Sequence, residues 1–572
     1  MRLRERFLEW AWRHPRWKRR SREAWAIARM GARCGHAPRL LEPPEFRDLR
    51  HLASQPARQT TRRGRVLFLT FRGWSTHAVT ETVLAHALQR RGWEAVFATC
   101  GGRLPICDVM PVHAAPPMPC RSCSEYATGA IAAAGFQPMR LLDVIDVGTA
   151  VSAARRTVAG LSSVHECEEF VAHDLRMGEL VRTSVLWFLS RGTLPENPLV
   201  LRTYRDFLVS ALVVADAFEA ILDRLHPDRL VALNGRFFAE AILIALATRR
   251  GIGWTTYEKG MLADTLITSV GGYASDVTMP KRDVQDALRH PLTRGENSEL
   301  DQYLAERRRG DATLDKPWSG WNEDPSAVRR QLGLLENRPL VAMFSNIAWD
   351  SAVTGKDLCF PSLGDWLDEG IRWAQFHPEI DMVIRLHPAE VAVTNHLTLD
   401  RMADRIARLM PRLPANVRVV QPTSGINSYA LMDEACAGLV YTSTVGLEMA
   451  AMGKPVVVAG ATHYRGRGFT LDPESAETYW ETVTKVVAVG MAADIRERTR
   501  ERARRYAHAF FFRFHHPIHA VHEEGHSRPR LTLSAGSLLN PGSDPSLDLI
   551  VADLLGEEAR PVPARAARYR AG

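Results

Sequence analysis

The sequence predicts an α/β protein of two doubly wound domains in tandem, facing a cleft and preceded by a basic helical arm. Three observations predict it. Apolar β-branched runs alternate with helix-length stretches, the pattern of βαβ units in a mainly parallel sheet. Two such series are separated by a charged stretch over about 275–337. The 572 residues also exceed what one core holds, at roughly 100–200 residues per domain.

The first series opens with Arg65-Val-Leu-Phe-Leu-Thr70, a buried strand, then the polar turn Phe71 to His77 and a helix over Val79 to Arg90. Gly92 ends that helix, and Trp93 to Thr99 reads as the next parallel strand. The stretch 140–250 has mainly helical spacing and forms an insertion. Asp228 to Leu233 is a further strand ending in Asn234-Gly235-Arg236. The helix Phe238 to Arg250 follows, then a strand over Trp254 to Tyr257 ending in Glu258-Lys259-Gly260. The second series has strands over 340–345, 382–386, 417–421, 438–441 and 455–459, with a helix over Val445 to Met452 before the last. The expected bounds are an arm over 1–63, a first domain over 64–275, a linker over 276–337, a second domain over 338–525 and a Ser-, Gly- and Pro-rich tail over 526–572.

Charge is unevenly spread. Residues 1–63 hold 17 Lys or Arg against 6 Asp or Glu, so the formal net charge of +8 belongs to the arm. Leu3, Phe7 and Trp10 recur there at helical spacing among Arg2, Arg4, Arg6, Arg13, Arg16 and Lys18. Such a helix can lie on an anionic membrane face or pack on its own protein. Nucleic acid is not expected as a partner, since no recognition module follows the basic residues. No apolar run reaches the ~20 residues that span a bilayer, and a signal peptide's apolar region is missing. A cytoplasmic protein, peripheral on the inner membrane, is expected.

The strand ends of the second series carry the chemistry. Arg385 and His387 close a strand, Pro388 fixes the turn after them, and Glu390 follows. Ser443 and Thr444 open a helix after Tyr441, where hydroxyls and backbone N–H groups favour an anion. Glu448 lies four residues after Thr444 on the same helix face and suits either a cap or a sugar hydroxyl. Arg385, His387 and the Ser443/Thr444 turn can together neutralise a phosphate without a metal. Carboxylate or imidazole candidates for a general base near strand ends of the first series are Glu258, Asp264 and His77, with Glu258 favoured.

Phe344 to Asp350, Arg385 to Glu390, Ile426 to Tyr429, Tyr441 to Glu448 and His463 to Thr470, in this order, resemble bacterial capsule polysaccharide biosynthesis proteins, glycosyltransferases of the two-Rossmann-domain (GT-B) type. The resemblance covers about 340–480 well, and the first domain more loosely through Asn234-Gly-Arg236 and Tyr257-Glu-Lys-Gly260. It implies transfer of a sugar from a nucleotide-activated donor, bound by the second domain, to a glycan or glycolipid acceptor on the first. In the related capsule Kdo transferases and polysialyltransferases a His-Pro pair and a Ser/Thr turn hold the nucleotide phosphate. Those roles map onto His387, Pro388, Ser443 and Thr444, with Asn234, Arg236 and Tyr464 as further binding candidates. The polysialyltransferases place two acidic residues before a Gly as base, and Glu258-Lys259-Gly260 matches at the first and third positions. Other readings are a non-hydrolysing nucleotide-sugar epimerase and a non-catalytic scaffold of capsule assembly.

Cys100, Cys107, Cys120 and Cys123 form a separate cluster whose last pair has zinc-knuckle spacing. A structural zinc is one reading and four ordinary reduced thiols the other. No cofactor is expected for transfer itself.

Overall fold

The computed structural model describes residues 42–55, 62–113, 118–310, 324–392, 398–525 and 527–557. Its strands, in chain order, are β1 Gly64–Thr70, β2 Trp93–Thr99, β3 Pro138–Arg140, β4 Arg229–Leu233, β5 Gly253–Lys259, β6 Thr265–Val270, β7 Leu340–Phe344, β8 Asp381–Arg385, β9 Val417–Val420, β10 Ala437–Val440, β11 Val456–Val458 and β12 His516–Pro517, with a small hairpin of Val521–Glu523 and Pro529–Leu531. The chain forms two compact units. The first comprises the described residues up to Leu189, Leu194–Ser275 and those from His516 onward, and the second Ser190–Thr193 and Asp276–His515.

The first unit is built on a seven-stranded sheet in the order β12-β6-β5-β4-β1-β2-β3. β1 pairs in parallel with both β2 and β4, and β6 and β12 add an antiparallel edge. The order reverses between β1 and β4, the place where open α/β sheets expose a crevice. The helices Val147–Thr157, Met177–Leu189 and Pro198–Leu225 lie between β3 and β4.

The second unit holds a five-stranded, all-parallel sheet in the order β11-β10-β7-β8-β9. β7, β8, β10 and β11 are buried throughout, which is why they read as unbroken apolar runs rather than alternating ones. Here the order reverses between β7 and β10.

Three stretches differ from the expected bounds. The linker placed at 276–337 is, over 276–309, an integral part of the second unit. The helix Arg294–Arg309 starts in a Thr293/Glu296 capping box, ends at Gly310 with φ +77°, and buries Leu300, Tyr303 and Glu306. It is fastened to the helix Ala493–Ala509 by Arg504 to Asp301 at 2.7 Å and His508 to Glu299 at 3.0 Å.

The expected second domain ran to residue 525, but the chain rejoins the first unit at His516. The tail then supplies the helix Pro545–Leu555, capped by Asp544, whose Leu547, Ile550, Val551 and Leu554 enter the first unit's core. Within the expected arm, the helix Pro44–Ala53 packs Phe46, Leu49 and Leu52 into that core. The amphipathic helix expected around Leu3 to Trp10 lies outside the described residues, as do 558–572.

Candidate functional site

At the reversal point of the second sheet, the carboxyl ends of β7, β8 and β10 open into a cavity of about 120 Å³. It is lined by Phe344 and Ser345 at the end of β7, Arg385 to Pro388 at the end of β8, Asn427 to Tyr429 at the start of a short helix, and Ser443 to Val445 after β10. Arg307 and Glu448 complete it. Parallel strands place these residue types together because each strand delivers its last side chains to the same edge.

Arg385 is 2% exposed; its Nη1 donates to the Gln421 carbonyl at 2.7 Å and its Nε to Ser428 Oγ at 3.3 Å. Burial pulls its pKa down to about 10, so it remains a cation at neutral pH. The His387 backbone N–H donates to Ser345 Oγ at 2.9 Å, and its ring Nδ1 accepts from the Ala389 N–H at 3.2 Å. Desolvation, helped by Arg385, pushes the ring pKa down to about 4. A neutral ring that accepts at Nδ1 carries its proton on Nε2, so His387 is a donor.

The Ser443–Thr444 turn is held from behind. Tyr464, fully buried, donates its hydroxyl to the Ser443 carbonyl, and Val445 N–H donates to Ser443 Oγ at 3.3 Å. Gly446 permits this: a Cβ there would lie 2.3 Å from the Tyr464 hydroxyl oxygen and 2.9 Å from Val440 Cγ2. Gly446→Ala should therefore destabilise the second unit by about 1–3 kcal/mol through overpacking, read as a lowered denaturant midpoint; an unchanged midpoint would show that Tyr464 yields freely. Tyr464 thus shapes the pocket from outside its lining.

Glu448, which the sequence left between a cap and a ligand for a sugar hydroxyl, is paired with Arg307 and Tyr429. It is 2% exposed, its Oε2 accepts from Tyr429 OH at 2.5 Å, and its Oε1 lies 2.9 Å from Arg307 Nη2. The Arg307 guanidinium sits 5.7 Å from the Tyr303 ring centroid and 5.8 Å from that of Phe511. Sequence reasoning missed Arg307 by assigning its segment to a linker; the Tyr303/Arg307 spacing and the capping box at Thr293 were the available signals. Glu390 is not among the lining residues either. It is 1% exposed, its Oε1 accepts from Met402 N–H at 3.2 Å, and burial raises its pKa to about 7.

In the first unit, Asn234 adopts φ +53° after β4 and ties two strand ends together. Its Nδ2 donates to Glu258 Oε2 at 3.0 Å, and its Oδ1 accepts from Arg236 N–H at 2.8 Å. Glu258 Oε1 accepts from the Lys259 N–H at 3.0 Å. The Arg236 guanidinium lies 4.2 Å over the Tyr273 ring. His77 packs between Trp74 and Tyr257, and desolvation, with Lys259 and Arg72 beside it, lowers its pKa to about 4. Asp264 instead serves the fold, accepting from the Glu523 N–H at 3.0 Å where the chain returns. Below this edge, Arg72 is fully buried between Asp108 and Glu240, each with a contact at 2.6 Å.

The metal reading of the cysteines is corrected. Among the described residues no group of three or more His, Cys, Asp or Glu is placed to hold a metal ion. Burial pushes the Cys100 thiol up to about 12 and raises Cys107, Cys120 and Cys123 as well. Cys123 Sγ accepts from the Gly73 N–H at 3.1 Å. Among the described residues no helix is long and apolar enough to cross a membrane.

Residues 337–506 match the family model described as capsule polysaccharide biosynthesis protein. Among solved structures, the chain is similar to the beta Kdo 2,4 transferase KpsC of Thermosulfurimonas dismutans, with 16% identity, 55% of this chain and 87% of that one covered, and a TM-score of 0.34. The beta Kdo 2,7 transferase KpsC of the same organism gives 14% identity, 50% and 79% coverage and a TM-score of 0.30. The UDP-GlcNAc 2-epimerase of Neisseria meningitidis gives 11% identity, 77% and 94% coverage and a TM-score of 0.24. Among curated protein sequences nothing matches.

Proposed function

We propose that this chain, a member of the capsule polysaccharide biosynthesis protein family over residues 337–506, is a glycosyltransferase of the GT-B type. It moves a sugar from a nucleotide-activated donor to a surface polysaccharide or glycolipid acceptor. The observation that carries this reading is the cavity at the strand-order reversal of the second sheet, where Arg385, the His387 ring and the Ser443–Thr444 turn converge. Departure of a nucleotide from the sugar carbon leaves negative charge on phosphate oxygens. Donors fixed beforehand stabilise that charge without reorganising during the reaction. The Nε2–H of His387 and the N–H and hydroxyl groups of the turn fill this role in place of a metal ion, with Pro388 holding the loop.

The acceptor is assigned to the first unit and its base to Glu258, whose orientation is fixed by Asn234 Nδ2 and the Lys259 N–H. Arg236 and Asn234 border the same strand ends. The basic arm, with its 17 Lys or Arg, is assigned to an anionic membrane face.

The test follows nucleotide release from CMP-, UDP- and GDP-sugars with and without acceptor glycolipid. Acceptor-dependent release is the expected result. Isomerised sugar in the absence of acceptor would replace this reading by an epimerase, and failure to bind any nucleotide would leave the scaffold.

A further inference from the structure

Two guanidinium groups line the cavity, and their surroundings assign them different work. Nη1 and Nε of Arg385 donate to the Gln421 carbonyl and Ser428 Oγ, and the residue is 2% exposed. It braces the ends of β8 and β9 and the start of the helix Ser428–Glu434. The Arg307 side chain retains 13% of its surface against 2% for Glu448. It enters from the last turn of Arg294–Arg309, its rear covered by Tyr303 and Phe511, with Glu448 and the Tyr303 hydroxyl holding Nη2 and Nη1.

We propose that Arg307, rather than Arg385, meets the phosphate oxygens of the ligand, and that Glu448 positions Arg307 rather than binding ribose. The inference rests on reading the cavity as a nucleotide site. A guanidinium presents five N–H donors in a rigid plane, so one edge can be anchored by a carboxylate while another faces an anion. Anchoring matters because a long, free arginine would lose rotamer entropy on each binding event. Here Glu448, itself fixed by Tyr429, has taken that loss at folding. The pocket then offers a phosphate the Arg307 guanidinium held by Glu448, a neutral imidazole donor and the Ser443–Thr444 turn.

Calorimetry with CMP, UDP and GDP on the full-length protein, using wild type, Arg307→Gln, Arg307→Lys, Glu448→Gln and the Arg307→Gln/Glu448→Gln pair, tests this. For whichever nucleotide binds wild type, Arg307→Gln should weaken affinity by about 10- to 100-fold, with Arg307→Lys between the two and Glu448→Gln less affected than Arg307→Gln. The double variant decides between contact and mere charge balance. It leaves no unpaired buried carboxylate, so its fold is preserved, yet it should bind as weakly as Arg307→Gln. Recovery of wild-type affinity in the double variant would overturn the inference, because Arg307 would then serve only to neutralise Glu448. Wild-type affinity in both single Arg307 variants would overturn it too. Absence of any nucleotide binding by wild type would instead overturn the reading of the cavity, and this inference with it.

Discussion

Arg72→Met should destabilise the first unit by about 3–5 kcal/mol, the cost of removing one partner from a fully buried ion pair. Arg72 is 4% exposed, and its side chain touches Asp108 and Glu240, which are 0% and 1% exposed. Its Nε meets Asp108 at 2.6 Å, while Nη1 and Nη2 meet the two oxygens of Glu240 at 2.6 and 3.1 Å. Removing the cation strands two carboxylates beside a third, Glu81, whose pKa burial has already raised to about 8. The network joins the turn after β1, the connection after β2 and the helix after β4, so three loops bordering the first sheet's reversal point should loosen together. Chemical denaturation followed by tryptophan fluorescence measures the effect, with the transition of the first unit moving and that of the second holding still. A loss below about 1 kcal/mol would mean that water reaches the site and that these charges are not desolvated.

That network shows where sequence reading stops. Val66 to Leu69 announced a buried strand because burial on both faces demands an unbroken apolar run. The residues following such strands, His387 and Ser443 among them, could be placed at one sheet edge by topology alone. Arg72 gave no comparable signal, since its partners stand 36 and 168 positions away and a single Arg after a strand fits a solvated turn equally well. Arg307 was hidden differently. Its helix has a highly charged sequence, and composition cannot distinguish a helix with one buried stripe from a linker until Leu300 and Tyr303 are seen in contact. The same blindness left Glu448 open between a cap and a ligand for a sugar hydroxyl, and the cysteines between a zinc site and reduced thiols. Both were judged by residue type and spacing, which show neither the cation that a distant helix brings to Glu448 nor whether the cysteines gather into a group able to hold a metal, which they do not.

His387→Ala should lower turnover by about 10²- to 10³-fold, the usual cost of deleting one fixed donor to developing negative charge. The same substitution should affect denaturation little, because the backbone N–H to Ser345 Oγ survives. His387→Asn keeps a side-chain donor near the same place and should recover part of the rate, which a purely packing role would not predict. The pH dependence separates donor from base. With the ring pKa lowered to about 4, the imidazole is neutral throughout the range from about pH 5 to 8, so His387 contributes no rising limb to the rate there. As the pH falls through about 4, Nδ1 gains a proton and can no longer accept from the Ala389 N–H. The loop then loses that bond in wild type but not in His387→Asn. A wild-type rate limb near pH 6 to 7 that vanishes in His387→Asn would identify the ring as a proton acceptor and remove it from the phosphate-binding role.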